Sequence, residues 1–346
     1  MSPKTATFVP QKFLAAPDHR YRFYPVQVLR DLSQCQTLQV GHAATIGTYD
    51  GVHIGHQAVL RSTKRIAERM GLATAVVTFH PHPASLIRPE NAPLLLTDID
   101  QKIDLLEASG LVDTVLVVPF DEARAEETAE EFVANVLVDC LGVKAVVVGH
   151  DFHFGKDRLG NVELLGELGS SHGFEVEGLQ LLPRPDGTIE SVSSTAIRRA
   201  LAGGDVSTAA PLLGRYHEVR GPVVRGDQRG RTIGFPTANI AVPRDRALPA
   251  DAVYAGWYIR PDESVWPCAI NIGKRPTFYQ DAEHSLLEAH LIGFEGDLYD
   301  EQAKVRFVKL LRSEQRFDGI DALKTQLARD VSRAAELLDR APRQLP

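Results

Sequence analysis

Short apolar runs alternate with segments of helical periodicity between residue 43 and about residue 173 of this 346-residue chain. The apolar runs are predicted strands at residues 43–46, 72–79, 112–118 and 145–148. Each run is nearly continuous in its apolar character, which is typical of strands buried on both faces. Strands of this kind that are separated by helices form a parallel sheet with helices on both sides. We therefore predict an α/β domain over residues 41–204, preceded by an N-terminal extension of residues 1–40.

The ends of several helices can be predicted from capping residues. Thr128 and Glu131 have the spacing of a capping box, which predicts a helix from there to about residue 141. Glycines at 71, 110 and 173 follow segments of helical pattern, including residues 98–109 and 164–172. Because glycine after the last turn is a common helix stop, these positions separate the helices from the next strands.

The pattern changes after residue 201, where glycine- and proline-rich turns separate short strands. We predict a linker at residues 205–214 and a second domain over residues 215–346, with strands at 253–259, 268–272, 286–292 and 305–311. Closely spaced strands with such turns favour an antiparallel β-barrel. One helix ends the chain, and its predicted buried stripe consists of Ile320, Leu323, Leu327 and Val331.

Composition limits the classes of function. The net charge of −7 provides no general basic surface for nucleic acid. No apolar segment is long enough for a membrane span or a secretory signal. The three cysteines, Cys35, Cys140 and Cys268, fit no zinc spacing and no disulfide framework. We therefore expect reduced thiols in a soluble cytoplasmic enzyme that acts on small molecules, and the sequence leaves open whether it forms a homo-oligomer.

One loop carries the strongest chemical signal. The first strand ends at Gly47, and a helix is predicted to begin in the run His53-Ile54-Gly55-His56. Ligands of open parallel sheets bind beyond the carboxyl ends of the strands, and a helix N-terminus there attracts phosphate. Two histidines three residues apart share a helical face and can donate hydrogen bonds to a triphosphate. The alternative, a structural turn with incidental histidines, fits this combination of strand, glycines and helix poorly.

Three further segments follow predicted strands or begin a helix: residues 78–83, 149–155 and 192–198. The last contains Ser194, Thr195 and Arg198, whose hydroxyls can cap a helix and whose guanidinium can bind an anion. Each segment alone also fits an ordinary loop or cap. The histidines in the first two segments (His80, His82, His150 and His153) lack the spacing of a tetrahedral metal site.

Two candidate sites occur in the second domain. Thr237 and Asn239 lie two apart, so in a strand both would face one side, and two neutral oxygens beside a triphosphate suit Mg²⁺. Glu288 lies in an otherwise apolar strand, where it could act as a general base. The alternatives are an ordinary turn for the first pair and a salt-bridged residue at the barrel mouth for Glu288.

Together these motifs resemble the prokaryotic bifunctional riboflavin kinase/FAD synthetase family. In the first half they are Tyr-Asp-Gly-Val-His-x-Gly-His, Thr-Phe-x-Pro-His-Pro, Gly-x-Asp-Phe-x-Phe-Gly and Ser-Ser-Thr-x-Ile-Arg. In the second half they are Gly-Phe-Pro-Thr-Ala-Asn, Asn-Ile-Gly-x-Arg-Pro-Thr-Phe, Glu-x-His and Phe-x-x-x-Leu-Arg-x-Glu-x-x-Phe. The resemblance covers residues 41 to 318. It implies a Rossmann-like nucleotidylyltransferase domain, followed by a riboflavin kinase barrel with a C-terminal helix.

The resemblance also implies roles for residues. Catalysis is assigned to Glu288, His53, His56 and Arg198. The residues assigned to ATP binding in the adenylyltransferase are Gly47, Tyr49, Asp50, Gly51, His53, Gly55, His56, Asp151, Ser194, Thr195 and Arg198. ATP in the kinase is assigned to Gly221, Gly226, Gly230, Arg231, Gly234, Pro236, Thr237 and Asn239. Mg²⁺ is assigned to Thr237 and Asn239, and the flavin to Asn239, Glu288, Arg312 and Glu314.

The chain departs from the family pattern at three positions. Tyr49 stands where relatives usually carry Phe, and Ala196 stands where they often carry a basic or bulky residue. Asp300 stands where they often carry Gly. The main rival function is a nucleotidylyltransferase with another acceptor, fused to a non-catalytic flavin-binding β-domain. A non-enzymatic flavin-binding protein would be expected to have lost phosphate or acid–base residues. A class I aminoacyl-tRNA synthetase shares His-Ile-Gly-His but is usually longer and carries a lysine-rich loop that this chain lacks.

Overall fold

The structure is a computed structural model, and it describes residues 25–38, 40–226, 229–273 and 284–345. The chain divides into two compact units between Ser194 and Thr195. The first unit is built on a parallel sheet and the second on a closed barrel. These architectures confirm the predicted fold class.

Six parallel strands form the sheet of the first unit, in the order β1-β4-β3-β2-β5-β6. The central strands are buried over most of their length, as their nearly continuous apolar sequences predict, and Lys144 is an exposed position in β5. The edge strand β1 lies within the predicted N-terminal extension and pairs with β4. The strands are β1 (Gln27–Leu29), β2 (His42–Ile46), β3 (Ala73–His80), β4 (Thr114–Pro119), β5 (Val143–Gly149) and β6 (Glu175–Leu179).

Helices connect these strands, and their ends follow the predicted caps. Thr128 and Glu131 form the capping box, and Gly71 and Gly173 end their helices in the left-handed conformation. The helices are α1 (Ile54–Met70), α2 (Pro83–Ile87), α3 (Ile99–Ala108), α4 (Glu122–Ala125), α5 (Ala129–Phe132), which continues as a π-helical segment (Val133–Cys140), and α6 (Val162–His172). Short 3₁₀ turns occur at Leu32–Thr37, Pro89–Asn91 and Lys156–Arg158.

The expectation of three reduced thiols is wrong for one pair. Cys35 and Cys140 form a disulfide with Cα atoms 5.0 Å apart, whereas Cys268 is free and buried. The partners are 105 residues apart in sequence. They meet because the 3₁₀ turn at Leu32–Thr37 and the π-helical segment pack into the same apolar core. Sequence spacing carries no information about such a long-range contact.

The second unit is a closed barrel of six strands in the order β10-β11-β8-β7-β12-β9, antiparallel throughout. Its strands are β7 (His217–Val224), β8 (Ala238–Pro243), β9 (Ala252–Ile259), β10 (Val265–Ile272), β11 (His284–Leu291) and β12 (Gln302–Ser313). Its helices are α7 (Ser194–Ala202), which starts at the last residue of the first unit, α8 (Val206–Leu213), α9 (Arg229–Thr232) and α10 (Ile320–Arg340). The predicted barrel is therefore confirmed.

Two helices of the second unit differ from the sequence expectations. The stretch predicted as a linker contains α8, which buries Val206, Ala209, Ala210, Leu212 and Leu213. The predicted stripe of α10 is wrong at its start, because Ile320 is 63% exposed. The buried line instead runs through Asp330, Ala334 and Leu338, where the second half of the helix packs on the barrel. In the part of the chain that the structure describes, no helix is long and apolar enough to cross a membrane.

Candidate active sites

The loop after β2 lies at the switch point of the parallel sheet. Strand β2 has β3 on one side and β5 on the other. The chain leaves β2 toward β3 and β4 on one side of the sheet and later returns to β5 and β6 on the other side. Ligands of open α/β sheets bind in the crevice at the carboxyl ends of such strands. The loop from Gly47 to His53 and the loop from His150 to Gly155 both border this crevice.

His53 caps the helix that leaves this loop. Its Nδ1 accepts a hydrogen bond from the backbone N–H of His56, at 3.2 Å, so the neutral ring carries its proton on Nε2. The two imidazoles stack with centroids 3.6 Å apart. A Cβ on Gly55 would lie 3.1 Å from the His53 ring, which explains why glycine occupies this position. The N-terminus of α1 and the His53 Nε2–H together form a donor set suited to phosphate oxygens.

Backbone strain is concentrated in this loop. Tyr49 and Val52 have positive φ angles of 49° and 38°, which non-glycine residues rarely adopt. The Tyr49 hydroxyl bonds to Thr45 Oγ1 at 2.7 Å and is buried, and burial raises its pKa. The extra hydroxyl that distinguishes Tyr49 from the Phe of the family is therefore satisfied inside the domain.

Asp50 is buried beneath the loop. Its carboxylate accepts hydrogen bonds from the backbone N–H groups of Leu96 and Thr97, each at 3.0 Å. Its backbone carbonyl accepts a bond from Ser194 Oγ at 2.9 Å, which brings the first residue of α7 to the loop. Since Tyr49 and Asp50 are 2% and 1% exposed, the structure favours a supporting role for both over direct contact with ATP.

Three further predicted residues lie in the loop after β5 and in α7. Asp151 is exposed in the loop after β5, and its Oδ1 lies 2.9 Å from where a Cβ on Gly149 would be. Thr195 is exposed and Arg198 is half-buried in α7. The roles of Asp151, Thr195 and Arg198 stay predictions.

An aromatic cluster at the carboxyl ends of the strands was missed from the sequence. Phe79 is the penultimate residue of β3 and lies 5.8 Å from Phe120, which follows β4. Phe152 stacks on Phe154 at 5.3 Å in the loop after β5. Phe132 of α5 joins the two pairs. Phe79, Phe120 and Phe152 are half-buried and so offer ring faces to a ligand. The signal was available, since the segments 78–83 and 149–155 were singled out for their other residues.

The second site lies on the barrel, where Glu288 has an asparagine on each side. In the strand register Glu288 is opposite Asn239 of β8 and opposite Asn271 of β10. Directly opposed residues of antiparallel strands project to the same face. Leu287 and Ala289, which project to the other face, are fully buried. Asn271 was not among the predicted site residues, because register between strands cannot be read from one strand.

Two glycines of the predicted kinase loop, Gly226 and Gly230, pack against the segment that contains Thr237 and Asn239. A Cβ on Gly226 would lie 2.6 Å from the Asn239 amide nitrogen, and a Cβ on Gly230 would lie 2.3 Å from the Phe235 carbonyl oxygen. His290 Nδ1 donates to the Pro236 carbonyl at 2.7 Å, which ties the segment before Thr237 to β11. The loop is therefore closely packed over Asn239 and Thr237.

The other residues predicted to bind ATP in the kinase differ in their exposure. Gly221 is buried in β7, and a Cβ there would lie 2.1 Å from the Ala241 carbonyl oxygen, so packing alone requires glycine. Arg231, Gly234 and Pro236 are exposed, and Gly234 has a φ of 92°. Asp300 has a φ of 65°, so it keeps the left-handed turn for which relatives often use Gly. Of the motif Asn-Ile-Gly-x-Arg-Pro-Thr-Phe, which occupies residues 271–278, residues 274–278 lie outside the described residues.

Arg312 is engaged inside the protein. Its Nε and Nη2 donate to the Asp330 carboxylate of α10 at 2.8–3.1 Å, and Nη1 donates to the Ser313 carbonyl at 3.0 Å. Its guanidinium also lies 5.7 Å from the centre of the Phe317 ring. Glu314, by contrast, is exposed, and its Oε1 lies 2.0 Å from where a Cβ on Gly273 would be. The structure thus directs Glu314 toward the Asn271 end of the site and Arg312 toward α10.

Replacing Asp330 with alanine is expected to lower the free energy of unfolding of the barrel unit by about 1.5–3 kcal/mol, the range for hydrogen bonds to charged groups. The Arg312 side chain is only 19% exposed and would be left without its carboxylate partner. Denaturant unfolding should report the loss, and Asp339→Ala, an exposed position on the same helix, is the matched control. Equal stability of the two variants would contradict a buried ion pair here.

The fold and the two sites define a nucleotide-using transferase with a parallel α/β domain and a barrel domain. The FAD synthetase family profile matches residues 35–196, and the riboflavin kinase profile matches residues 213–338. Curated bifunctional riboflavin kinase/FMN adenylyltransferases from Pseudomonas fluorescens and Escherichia coli K12 are 41% and 40% identical to the chain. Each match spans 90% of this chain and 98% or 96% of the relative. The chain belongs to the bifunctional riboflavin kinase/FMN adenylyltransferase family.

A solved structure agrees with this fold. The crystal structure titled macrolide-efflux protein from Streptococcus pneumoniae is 29% identical, with a TM-score of 0.78. The match covers 90% of this chain and 99% of that one. We take the fold alone from this likeness.

Proposed function

We propose that the barrel phosphorylates riboflavin with Glu288 as the general base. The carboxylate would take the proton of the ribityl 5′-hydroxyl as its oxygen bonds to the γ-phosphorus of ATP and the bond to ADP breaks. The observation that carries this proposal is the position of Glu288 between Asn239 and Asn271. Two amides beside a carboxylate can orient a hydroxyl and a phosphate at once.

The donor set at this site fits Mg²⁺. Asn239 is 6% exposed, its side chain packs against Gly226, and Thr237 lies two residues before it. Thr237 and Asn239 would hold the ion together with phosphate oxygens, and the ion would neutralise charge on the transferring phosphoryl group. The chain's own contribution is to hold these oxygens and Glu288 on one face of the barrel.

In the first unit, we propose that FMN is adenylylated at the crevice beside β2. A phosphate oxygen of FMN would attack the α-phosphorus of ATP, and the bond to the β-phosphate would break to release pyrophosphate. His53 Nε2–H and the N-terminus of α1 would bind the phosphates, and His56 would add a donor as charge develops. The half-buried rings of Phe79, Phe120 and Phe152 are proposed to contact the flavin ring.

The direct test is incubation of the purified chain with riboflavin and MgATP, with flavins resolved by chromatography. We expect FMN to appear first and FAD to follow, and FMN with MgATP to give FAD and pyrophosphate. Formation of FAD from FMN without any FMN from riboflavin would reject the kinase assignment of the barrel and leave the adenylyltransferase assignment of the first unit standing. Absence of every flavin product would reject both proposed reactions and favour the rival, a nucleotidylyltransferase with another acceptor fused to a non-catalytic flavin-binding β-domain.

A further inference from the structure

Lys102 is a buried lysine that neither proposed reaction uses. It lies in the second turn of α3, and 6% of the residue is exposed. A buried ammonium is costly unless an opposite charge and hydrogen bonds compensate it. The groups that compensate Lys102 all support the loop between β2 and α1.

Two contacts connect Lys102 with that loop. Its Nζ donates to Thr78 Oγ1 at 3.3 Å, and Thr78 Oγ1 donates to the backbone carbonyl of Thr48 at 3.1 Å. The buried carboxylate of Asp50 attracts the Lys102 ammonium, and Asp50 itself belongs to the loop. Lys102 therefore acts on the loop both through a hydrogen-bonded chain and through charge.

The loop needs such support because its backbone is strained. Tyr49 and Val52, on either side of Asp50, have positive φ angles. Conformations of this kind persist only where the surroundings hold them. The bonds from Leu96 and Thr97 hold Asp50 from one side, and Thr78 holds the Thr48 carbonyl from another.

Electrostatics gives the lysine a second effect. The phosphates of ATP would approach the donors of the same loop and helix N-terminus. An uncompensated Asp50 carboxylate beneath them would repel the phosphates in a region that water screens weakly. A positive Lys102 beside Asp50 removes this repulsion.

We propose that Lys102 is a positioning residue for adenylyl transfer, which holds the 47–53 loop through Thr78 and neutralises Asp50 beneath the ATP phosphates. The proposal rests on the proposed function of the first unit. It assigns Lys102 to ATP binding in FAD formation alone, and gives it no part in riboflavin phosphorylation.

Lys102→Met keeps the length of the side chain and removes its charge. We expect kcat/KM for MgATP in FAD formation to fall by about 10- to 100-fold, mainly through KM, as for other lost charge-assisted contacts. Riboflavin phosphorylation by the same chain should be unchanged. Lys144→Met, an exposed position on β5, removes the same charge from the same unit and should leave both reactions unchanged.

The pH profile separates charge from mere packing. Burial lowers the pKa of Lys102 to about 8, against the attraction of Asp50. The groups that face the ammonium are the Asp50 carboxylate from the loop and the neutral Thr78 hydroxyl from β3. As pH rises through about 8 the ammonium loses its proton, so kcat/KM for MgATP in FAD formation should fall. Lys102→Met, already without the charge, should lack this fall.

Loss of the Lys102 proton does not itself destabilise the first unit. Between about pH 8 and the ordinary lysine pKa of 10.5, the unfolded chain binds the proton that the folded chain has released. The free energy of unfolding therefore gains from this group as pH rises. Between about pH 8 and 10.5, the rate of FAD formation should therefore fall while the free energy of unfolding rises relative to that of Lys102→Met.

The decisive experiment measures FAD from FMN and FMN from riboflavin, from pH 7 to 10, for the unsubstituted chain and the two lysine variants. Thr78→Val, which removes only the bridging hydroxyl, is measured as well and should raise KM for MgATP about 3- to 10-fold. It decides the matter if Lys102→Met does not fold. Wild-type kinetics in Lys102→Met, or in Thr78→Val if the methionine variant fails to fold, would overturn the proposal. If the unsubstituted chain makes no FAD, the proposed function itself fails.

Discussion

Glu288→Gln is expected to lower FMN formation from riboflavin by about 10²- to 10⁴-fold, the range that general bases contribute. The amide has the size and hydrogen-bonding shape of the carboxylate but cannot accept the proton of the attacking hydroxyl. Asn239 and Asn271 would remain opposite residue 288, because the strand register is set by backbone bonds. The loss should therefore appear in kcat, with little change in the KM for MgATP or riboflavin.

The same chain supplies the internal control for this result. Glu288→Gln should convert FMN to FAD at the rate of the unsubstituted chain, while its formation of FMN and FAD from riboflavin falls as stated above. Glu295→Gln, at an exposed position between β11 and β12, is the matched substitution and should leave both reactions intact. A Glu288→Gln chain that still made FMN at an ordinary rate would remove the carboxylate from the mechanism.

The fold of the first unit was largely predictable because its signals are local. Continuous apolar strands, the capping box at Thr128 and glycine stops such as Gly173 each depend on a few adjacent residues. The barrel was predicted as a class, but β7 and β8 were not among the predicted strands. The β7 sequence contains Gly221 and Pro222, two residue types that are depleted in strands. Its pairing with β12 and β8 stabilises the strand despite this.

The errors share one physical cause, which is contact between distant parts of the chain. Cys35 and Cys140 meet through packing of two helical segments. The start of α10 has the periodicity of a buried helix, yet Ile320 is exposed. Helical periodicity defines which face of a helix is apolar, but it does not say how many turns of that face pack against the barrel. Tertiary packing decides these features.

The sites show the same division. Residue types at the end of a strand or the start of a helix, such as His53 and Ser194, are informative because parallel topology gathers these ends at one edge. The partnership of Arg312 with Asp330 joins a strand to a helix, and that of Glu288 with Asn271 joins two strands. Neither partner can be chosen from one segment of sequence, so Asn271 was not among the predicted site residues, and the flavin role of Arg312 stays a prediction.

The second large effect is expected at His56. His56→Ala should lower FAD formation from FMN by about 10²- to 10³-fold, as loss of a donor to developing charge does in other enzymes. The substitution keeps the backbone N–H that His53 Nδ1 accepts, so the cap of α1 survives and a loss of activity cannot be assigned to unwinding. Riboflavin phosphorylation should be unchanged, because the barrel carries its own site. His172→Ala, at an exposed position in α6, is the matched control.

His53 makes the complementary case. His53→Ala would remove a cap as well as a donor, and loss of a cap alone costs about 1 kcal/mol of stability. His53→Asn keeps an acceptor for the His56 N–H while it removes the imidazole Nε2–H, so it isolates the phosphate contact. We expect it to match His56→Ala in FAD formation and to unfold at the temperature of the unsubstituted chain. If either histidine variant also lost FMN formation, the assignment of the two reactions to two separate sites would be wrong, since neither histidine belongs to the barrel.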